Sequence, residues 1–356
     1  MLMMSCTLDL YTDYLLSSTG PTTATGLSRL LDGALSHDHI TRWLSSAAYG
    51  SADVWRQAKA LIRPAEARRG SEDFAVLIVD DSVLEKAHTG VNELICTHWD
   101  HSQQRYVNGL NSVSLLYQAG ELALPIGVEL VRKTVAVWNA KSQQLKYQSP
   151  FTKNEYVQQM LRVAQQQVAY RYLLADSWYA SAENMSLVRA LGHHFIFALE
   201  SSRTVAVSEP ERAQGRFQAV QSLAFSDTHP LRVYLRAVKE AVLVTRQVFT
   251  NQDGSQGVVY LVSSDTDLDQ AQLTTIYQRR WKVEEYHKSL KQNASMGKSP
   301  TKTLTTQANH FLVAVLAYTK LEALKLKCGI GHFRLKAQLY AVGLKARYQQ
   351  LVLLSA

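Results

Sequence analysis

Phe74-Ala75-Val76-Leu77-Ile78-Val79-Asp80-Asp81-Ser82 decides the fold. Six consecutive apolar residues read as a short strand buried on both faces. A strand of that kind belongs inside a sheet covered by helices, so the run predicts an α/β architecture. It ends in two acids and a hydroxyl. Side chains alternate along a strand, so only one of Asp80 and Asp81 can face a given site. Asp80 is the favoured one, because Ser82 then places a small hydroxyl two positions after the acid.

Downstream, Tyr106 to Tyr117 and Leu122 to Val131 read as two more strands, turning at Ala119 and Gly120. Three strands with short connections predict an antiparallel meander. Glu155 to Val168 has a helical apolar stripe, and Tyr172 to Ala175 is a strand that also ends in an acid, Asp176. A helix over Ala182 to Leu191 and a strand over His194 to Leu199 complete a mixed α/β order. Residues 201–268 break that rhythm with alternating segments, and Asn251 to Gly254 reads as a hairpin loop. This stretch is expected to be a β-rich insertion, dividing a catalytic core of residues 71–200 and 269–328. Gln307 to Lys327 is a long helix, and residues 329–356 form a basic, helical tail.

Upstream, residues 1–70 read as a helical domain, with a boundary marked by Pro64 and the polar stretch from Arg68 to Glu72. Ala24 to Leu31 is followed by Gly33 and by Ser36, a good N-cap for a helix through Ser46. Two short helices around a Gly-containing turn suggest a helix-turn-helix pattern. Its second helix exposes His37, Asp38, Thr41 and Arg42 and buries Ile40, Trp43 and Leu44, which makes Thr41 and Arg42 candidate DNA contacts.

The second decisive stretch runs from Tyr277 to Lys291. Tyr277, Arg280, Glu284 and Lys291 are spaced so that on a helix they share a stripe roughly 60° wide. Ile276, Val283 and Leu290 form an apolar stripe beside it. A helix of this kind docks on a sheet and pushes one carboxylate, flanked by two cations, into a charged cleft. Trp281 and Lys288 border the stripe, and Trp178 follows Asp176 by two residues. All three are candidates to touch DNA.

The chain has 356 residues, 46% hydrophobic and 19% charged, which fits a globular protein with a large core. Its net charge of +8 favours a polyanionic partner. Three widely separated cysteines, Cys6, Cys96 and Cys328, permit no disulfide framework and suggest a reducing cytoplasm. No membrane span or secretory signal is evident. Cys96, His98 and His101 lack a fourth ligand and fit no common zinc spacing, so they read as a polar loop near the cleft.

Asp80, Asp176 and Glu284 come from three separated elements. Carboxylates so arranged can hold two hard divalent cations, which activate a water or hydroxyl and stabilise a leaving oxygen on a phosphodiester. Arg280 and Lys291 would hold phosphates of the strand being cut. Tyr277 could bond a phosphate or stack on a base.

With those residues assembled, the chain resembles a DDE transposase with a ribonuclease-H-like core. It is similar to the insertion-sequence-four-like group, marked by the Y-(2)-R-(3)-E-(6)-K signature that Tyr277, Arg280, Glu284 and Lys291 match without a gap. Asp80-Asp81-Ser82 fits the pattern of the group's first acid, and Asp176 its strand-terminal second acid. The resemblance implies a mixed sheet flanked by helices, interrupted by a β-rich insertion and preceded by a helical DNA-binding region. It implies cut-and-paste transposition with two Mg²⁺ per active site, Mn²⁺ being able to substitute. Asp80, Asp176 and Glu284 would be the catalytic metal ligands, and Tyr277 and Arg280 would grip the cut strand. The implied partners are the terminal inverted repeats and target DNA, bound by a homodimer in a bacterial cytoplasm, on the nucleoid when engaged. A DNA-binding repressor that no longer cuts, or a structure-specific nuclease on the same core, are the rival readings.

Overall fold

The computed structural model describes residues 5–100, 104–141, 143–226, 228–236, 238–250 and 253–355. Four helices open the chain: α1 (Leu8–Ser17), α2 (Ala24–Leu30), α3 (His37–Ser46) and α4 (Ser51–Arg68). Thr7, Thr23 and Ser36 cap the first three, each accepting a bond from a backbone N–H in the first turn. Ile40 and Leu44 of α3 are buried, while Thr41 and Arg42 are exposed. Helix α4 runs through Pro64, where the sequence suggested a boundary. Burial of Val54, Ala58 and Ile62 along its inner face outweighs the single backbone bond that proline forfeits near the helix end.

The central part follows as β1 (Val76–Glu85), β2 (Ile95–Asp100), β3 (Arg105–Ala119), β4 (Leu122–Leu130), β5 (Val135–Asn139), β6 (Gln144–Gln148), α5 (Lys153–Ala164), β7 (Tyr172–Ala175), α6 (Ala182–Ala190) and β8 (His194–Leu199). Then come β9 (Thr204–Ala206), α7 (Glu209–Ala213), β10 (Gln218–Ala219), β11 (Leu231–Leu235), β12 (Ala241–Thr250) and β13 (Gln256–Ser263). Helices α8 (Gln270–Gln278), α9 (Lys282–Gln292), α10 (Leu304–Cys328) and α11 (His332–Ser355) close the chain. The helix expected around Tyr277 is split into α8 and α9 by a tighter turn at Arg279–Trp281. Arg279 in that turn donates to the backbone carbonyls of Phe74 and Gln118, tying it to the sheet.

Eleven strands form one mixed sheet, in the order β10-β9-β11-β12-β13-β8-β7-β1-β3-β2, with β4 also on β3. Strand β7 is parallel to both β1 and β8, and the other pairings are antiparallel. The expected meander of β1, β3 and β4 is present, but β2 is inserted where a loop was expected. The β-rich segment 201–268 does not stand apart as a layer of its own. Its last strand, β13, pairs with β8 through Val262 and Phe197 and carries the sheet onward. Strand β8 would otherwise present a bare row of backbone donors and acceptors, which β13 satisfies. Asn251 and Gln252 of the expected hairpin loop lie outside the described residues, but the pair Thr250 and Gln256 closes that hairpin.

Strand alternation sorts the core into two layers. Val76, Ile78, Tyr172 and Leu174 pack on one face with α1, α9 and α10. Leu77, Val79, Leu173, Ala175, Phe195 and Phe197 pack on the other with α4, α5 and α6. Helix α10 is buried almost all round from Thr306 to Leu321, as a helix passing through a core must be. Among the described residues, no helix is long and apolar enough to cross a membrane.

Candidate active site

Asp80 lies in the middle of β1, not at its end. Strand β3 is long enough to keep pairing with β1 as far as Glu85. The parallel pairing of β1 with β7 stops earlier, at Ile78. Just beyond, β7 ends at Ala175 and leads into Asp176, so the two acids emerge along the same opened seam of the sheet. Alternation then decides direction. Asp80 shares the face of Val76 and Ile78, and the extended residue Asp176 shares the face of Tyr172 and Leu174. Helix α9 packs on that same face through Val283, Tyr286 and Leu290, and it carries Glu284.

The three carboxylates line one cleft of about 710 Å³, together with Lys291, Trp178 and Lys153. Burial, and then the negative charges of Glu284, Asp176 and Asp81, push the Asp80 carboxyl up to about 7. Burial also raises Asp176, against the pull of Arg280 and of the backbone N–H of Trp178, which donates to it at 3.0 Å. Arg280 stands among the acids, with Nη1 3.4 Å from Glu284 Oε1. Although burial works against its charge, Tyr277, Asp80, Glu284 and Asp176 hold the guanidinium more firmly protonated. The Tyr277 hydroxyl donates to the Ala175 carbonyl at 3.3 Å, next to Asp176, and burial raises its pKa to about 12.

Asp81 has a different position. It points to the opposite face, where it accepts from Lys153 Nζ at 2.6 Å, the Tyr179 hydroxyl at 2.7 Å and Asn111 Nδ2 at 3.0 Å. Against the burial that would raise it, Lys153 and these hydrogen bonds hold its carboxyl below the ordinary value. Asp81 is thus already satisfied, whereas among the described residues Asp80 accepts one hydrogen bond, from the Asp81 N–H at 2.9 Å, with His287 Nε2 3.7 Å from its other oxygen.

Of the sequence candidates, Trp178 is 62% exposed at the cleft, with Lys153 Nζ 5.6 Å from its ring centre. Trp281 and Lys288 turn to the other side of Glu284. They line a separate cavity with Glu322, His332 and Phe333, and Lys288 sits over the Phe333 ring. Thr41 and Arg42 do not line the cleft, and their side chains bond to carbonyls of their own helix. The Cys96 thiol donates to the Asn92 and Glu93 carbonyls, His98 lines the cleft from β2, and His101 lies outside the described residues. The network of Lys153, Tyr179 and Asn111 was not anticipated. Lys153 had a readable signal, because Thr152 and Glu155 form a capping box that fixes it in the first turn of α5. Tyr179 and Asn111 had none.

Hard carboxylate oxygens are the donors a divalent cation such as Mg²⁺ takes, and the burial and mutual repulsion that raise the Asp80 pKa are what a bound cation offsets. Among the described residues, no three His, Cys, Asp or Glu side chains are drawn up around a single point. Arg280 is close enough to feel the charge of all three acids. A pH dependence follows. The ordinary carboxyl value of 3.8 is raised to about 7 in the folded chain, so the folded form binds more protons in that interval. Without metal, stability therefore falls as pH rises from about 4 to about 7, and the penalty is complete above that. A cation that binds the ionised form raises Tm more at about pH 8 than at about pH 6. Thermal unfolding with and without Mg²⁺ checks this, and an equal shift at both values contradicts it.

Residues 72–320 match the family model described as "Transposase DDE domain". No curated protein matches the chain.

Proposed function

Because the chain belongs to the transposase DDE-domain family, we propose that it cuts DNA at the ends of a mobile element and joins the freed 3′-hydroxyl to target DNA. The observation that carries this reading is the meeting of Asp80, Asp176 and Glu284 from three distant elements in one cleft, on one face of the sheet. A ribonuclease-H-like core is supported by the strand order β4-β3-β1-β7-β8, three antiparallel strands followed by two parallel ones.

In this reading Asp80, Asp176 and Glu284 hold two Mg²⁺ or Mn²⁺ ions. Those ions, when bound, activate the attacking oxygen and stabilise the leaving one. Lys291, on the cleft wall, holds a phosphate of the strand being cut. Arg280 balances the acids in the resting site and turns to phosphate when cations take over that balance. Tyr277, fixed against the end of β7, grips the strand terminus with Arg280, as the Y-(2)-R-(3)-E-(6)-K signature implies. Trp178 offers an exposed ring for an unpaired base at the cleft mouth. Thr41 and Arg42 on α3 are solvent-facing and free to meet the element ends away from the cleft. The protein acts as a homodimer on DNA, with one subunit at each end, and works on the bacterial nucleoid.

The test is a plasmid carrying the element with its inverted repeats, incubated with the full chain and Mg²⁺. Nicks at both ends and joined products are expected. Binding of the ends without any nick in Mg²⁺ or Mn²⁺ would make the protein a silent repressor. Equal cutting of plasmids that lack the ends would make it a nuclease.

A further inference from the structure

Strands β5 and β6 form a sheet of their own, outside the main one. All ten of their residues are exposed except Asn139, which is half-buried. A lone two-stranded hairpin is marginal in water, yet this one leaves large apolar side chains uncovered. Trp138 is 62% exposed, Tyr147 57% and Leu145 53%. The register pairs Ala136 with Tyr147 and Trp138 with Leu145, so these three side chains share one face of the ribbon.

Both roots of the hairpin are fixed at the cleft. On one side, Lys133 Nζ donates to the Thr97 carbonyl at 3.2 Å, next to His98, which lines the cleft. On the other, Lys153 opens α5 and pairs with Asp81. From Val131 to Asn154 the sequence carries Arg132, Lys133, Lys141, Lys146 and Lys153 and no acid at all.

We propose that the β5–β6 hairpin is an arm that closes on duplex DNA held at the cleft, a role that rests on the DNA reading above. A two-stranded β-ribbon fits the major groove of B-form DNA. Lys141 and Lys146 meet phosphates, and Trp138 and Tyr147 lie against sugars and base edges. Charge decides between DNA and a second copy of the chain as the occupant. The whole chain carries +8, so an acid-free arm is repelled by another copy and drawn to a polyanion.

The test uses the full chain and a fluorescein-labelled duplex of mixed sequence, titrated at several salt concentrations. The double variant K141E/K146E is expected to bind about tenfold more weakly, with its log–log salt slope reduced by about two. The double variant W138A/Y147A is expected to bind severalfold more weakly with the slope unchanged. Both should keep the wild-type Tm, because the arm packs no core. Wild-type affinity and slope in both variants would overturn the proposal alone. So would loss of self-association in sedimentation with duplex binding intact, which would make a second copy the occupant. Failure of the wild-type chain to bind any duplex would overturn the DNA reading, and the arm with it.

Discussion

In the proposed function, replacing Glu284 by Gln is expected to remove DNA cleavage, by about a thousandfold or more, and to leave the fold and end binding in place. The loss corresponds to about 4 kcal/mol on the barrier, the scale expected when one charged donor of a cation pair becomes a neutral amide. Three features make this substitution clean. Gln keeps the shape of Glu, the Glu284 side chain is 43% exposed, and its partner Arg280, 19% exposed, still has Asp80 and Asp176 beside it when Glu284 is neutral. Its negative charge is also a leading cause, after burial, of the raised Asp80 pKa. Without it, Asp80 ionises more easily, and the metal-free variant becomes at least as stable as the parent at neutral pH. Activity and stability therefore move in opposite directions, which a merely structural residue does not produce. A gel assay of nicking alongside thermal unfolding reads both. Nicking within tenfold of the parent would refute the role given to Glu284.

Phe197→Ala acts through the fold instead. Phe197 is fully buried at the centre of β8 and stacks on Phe195, with ring centres 5.1 Å apart. Truncating such a side chain costs about 3–5 kcal/mol, because the layer around it relaxes only in part. That is a large share of the total stability of a folded domain, and in a chain of 356 residues it lowers Tm by about 4–7 °C. Ala175, next to Asp176, pairs with Phe197, so the loss also loosens the strand end that presents the second acid. Thermal unfolding measures the effect, and a Tm shift under about 2 °C would contradict the packing described. The exposed Val163 offers a control, since its truncation is expected to change Tm little.

The strands β7 and β8 and the helix α3 were legible in the sequence to the residue, because each has a clear pattern between strong punctuation. The buried run ending at Asp80 was legible as a strand, but its length was not. Whether β1 stops at Asp80 or continues to Glu85 depends on the reach of β3, a distant partner that leaves no local trace. Alternation of side chains was known from the sequence to separate Asp80 from Asp81. Only the helices on each face show that Asp81 has Lys153 and Tyr179 waiting for it. The helix stripe of Tyr277, Arg280, Glu284 and Lys291 survives the tight turn at Arg279, because the chain stays helical through it. Trp281 and Lys288 were harder to place. They sit only a few tens of degrees from the stripe, and the packing of α9 against α10 and α11 decides which cavity they enter. The β5–β6 hairpin was missed because its residues lie outside both cores, and no long apolar run announced it.

The pairing of β13 with β8 means that residues 201–268 cannot be removed like an appended module. Excising them would strip the seam beside β8 and leave a raw flank of unmet amides next to the strand that delivers Asp176. A shortened protein of that kind would stick to its own copies and precipitate before its chemistry could be assayed. For the same reason, a protease nick within the segment should leave both pieces zipped together under native conditions.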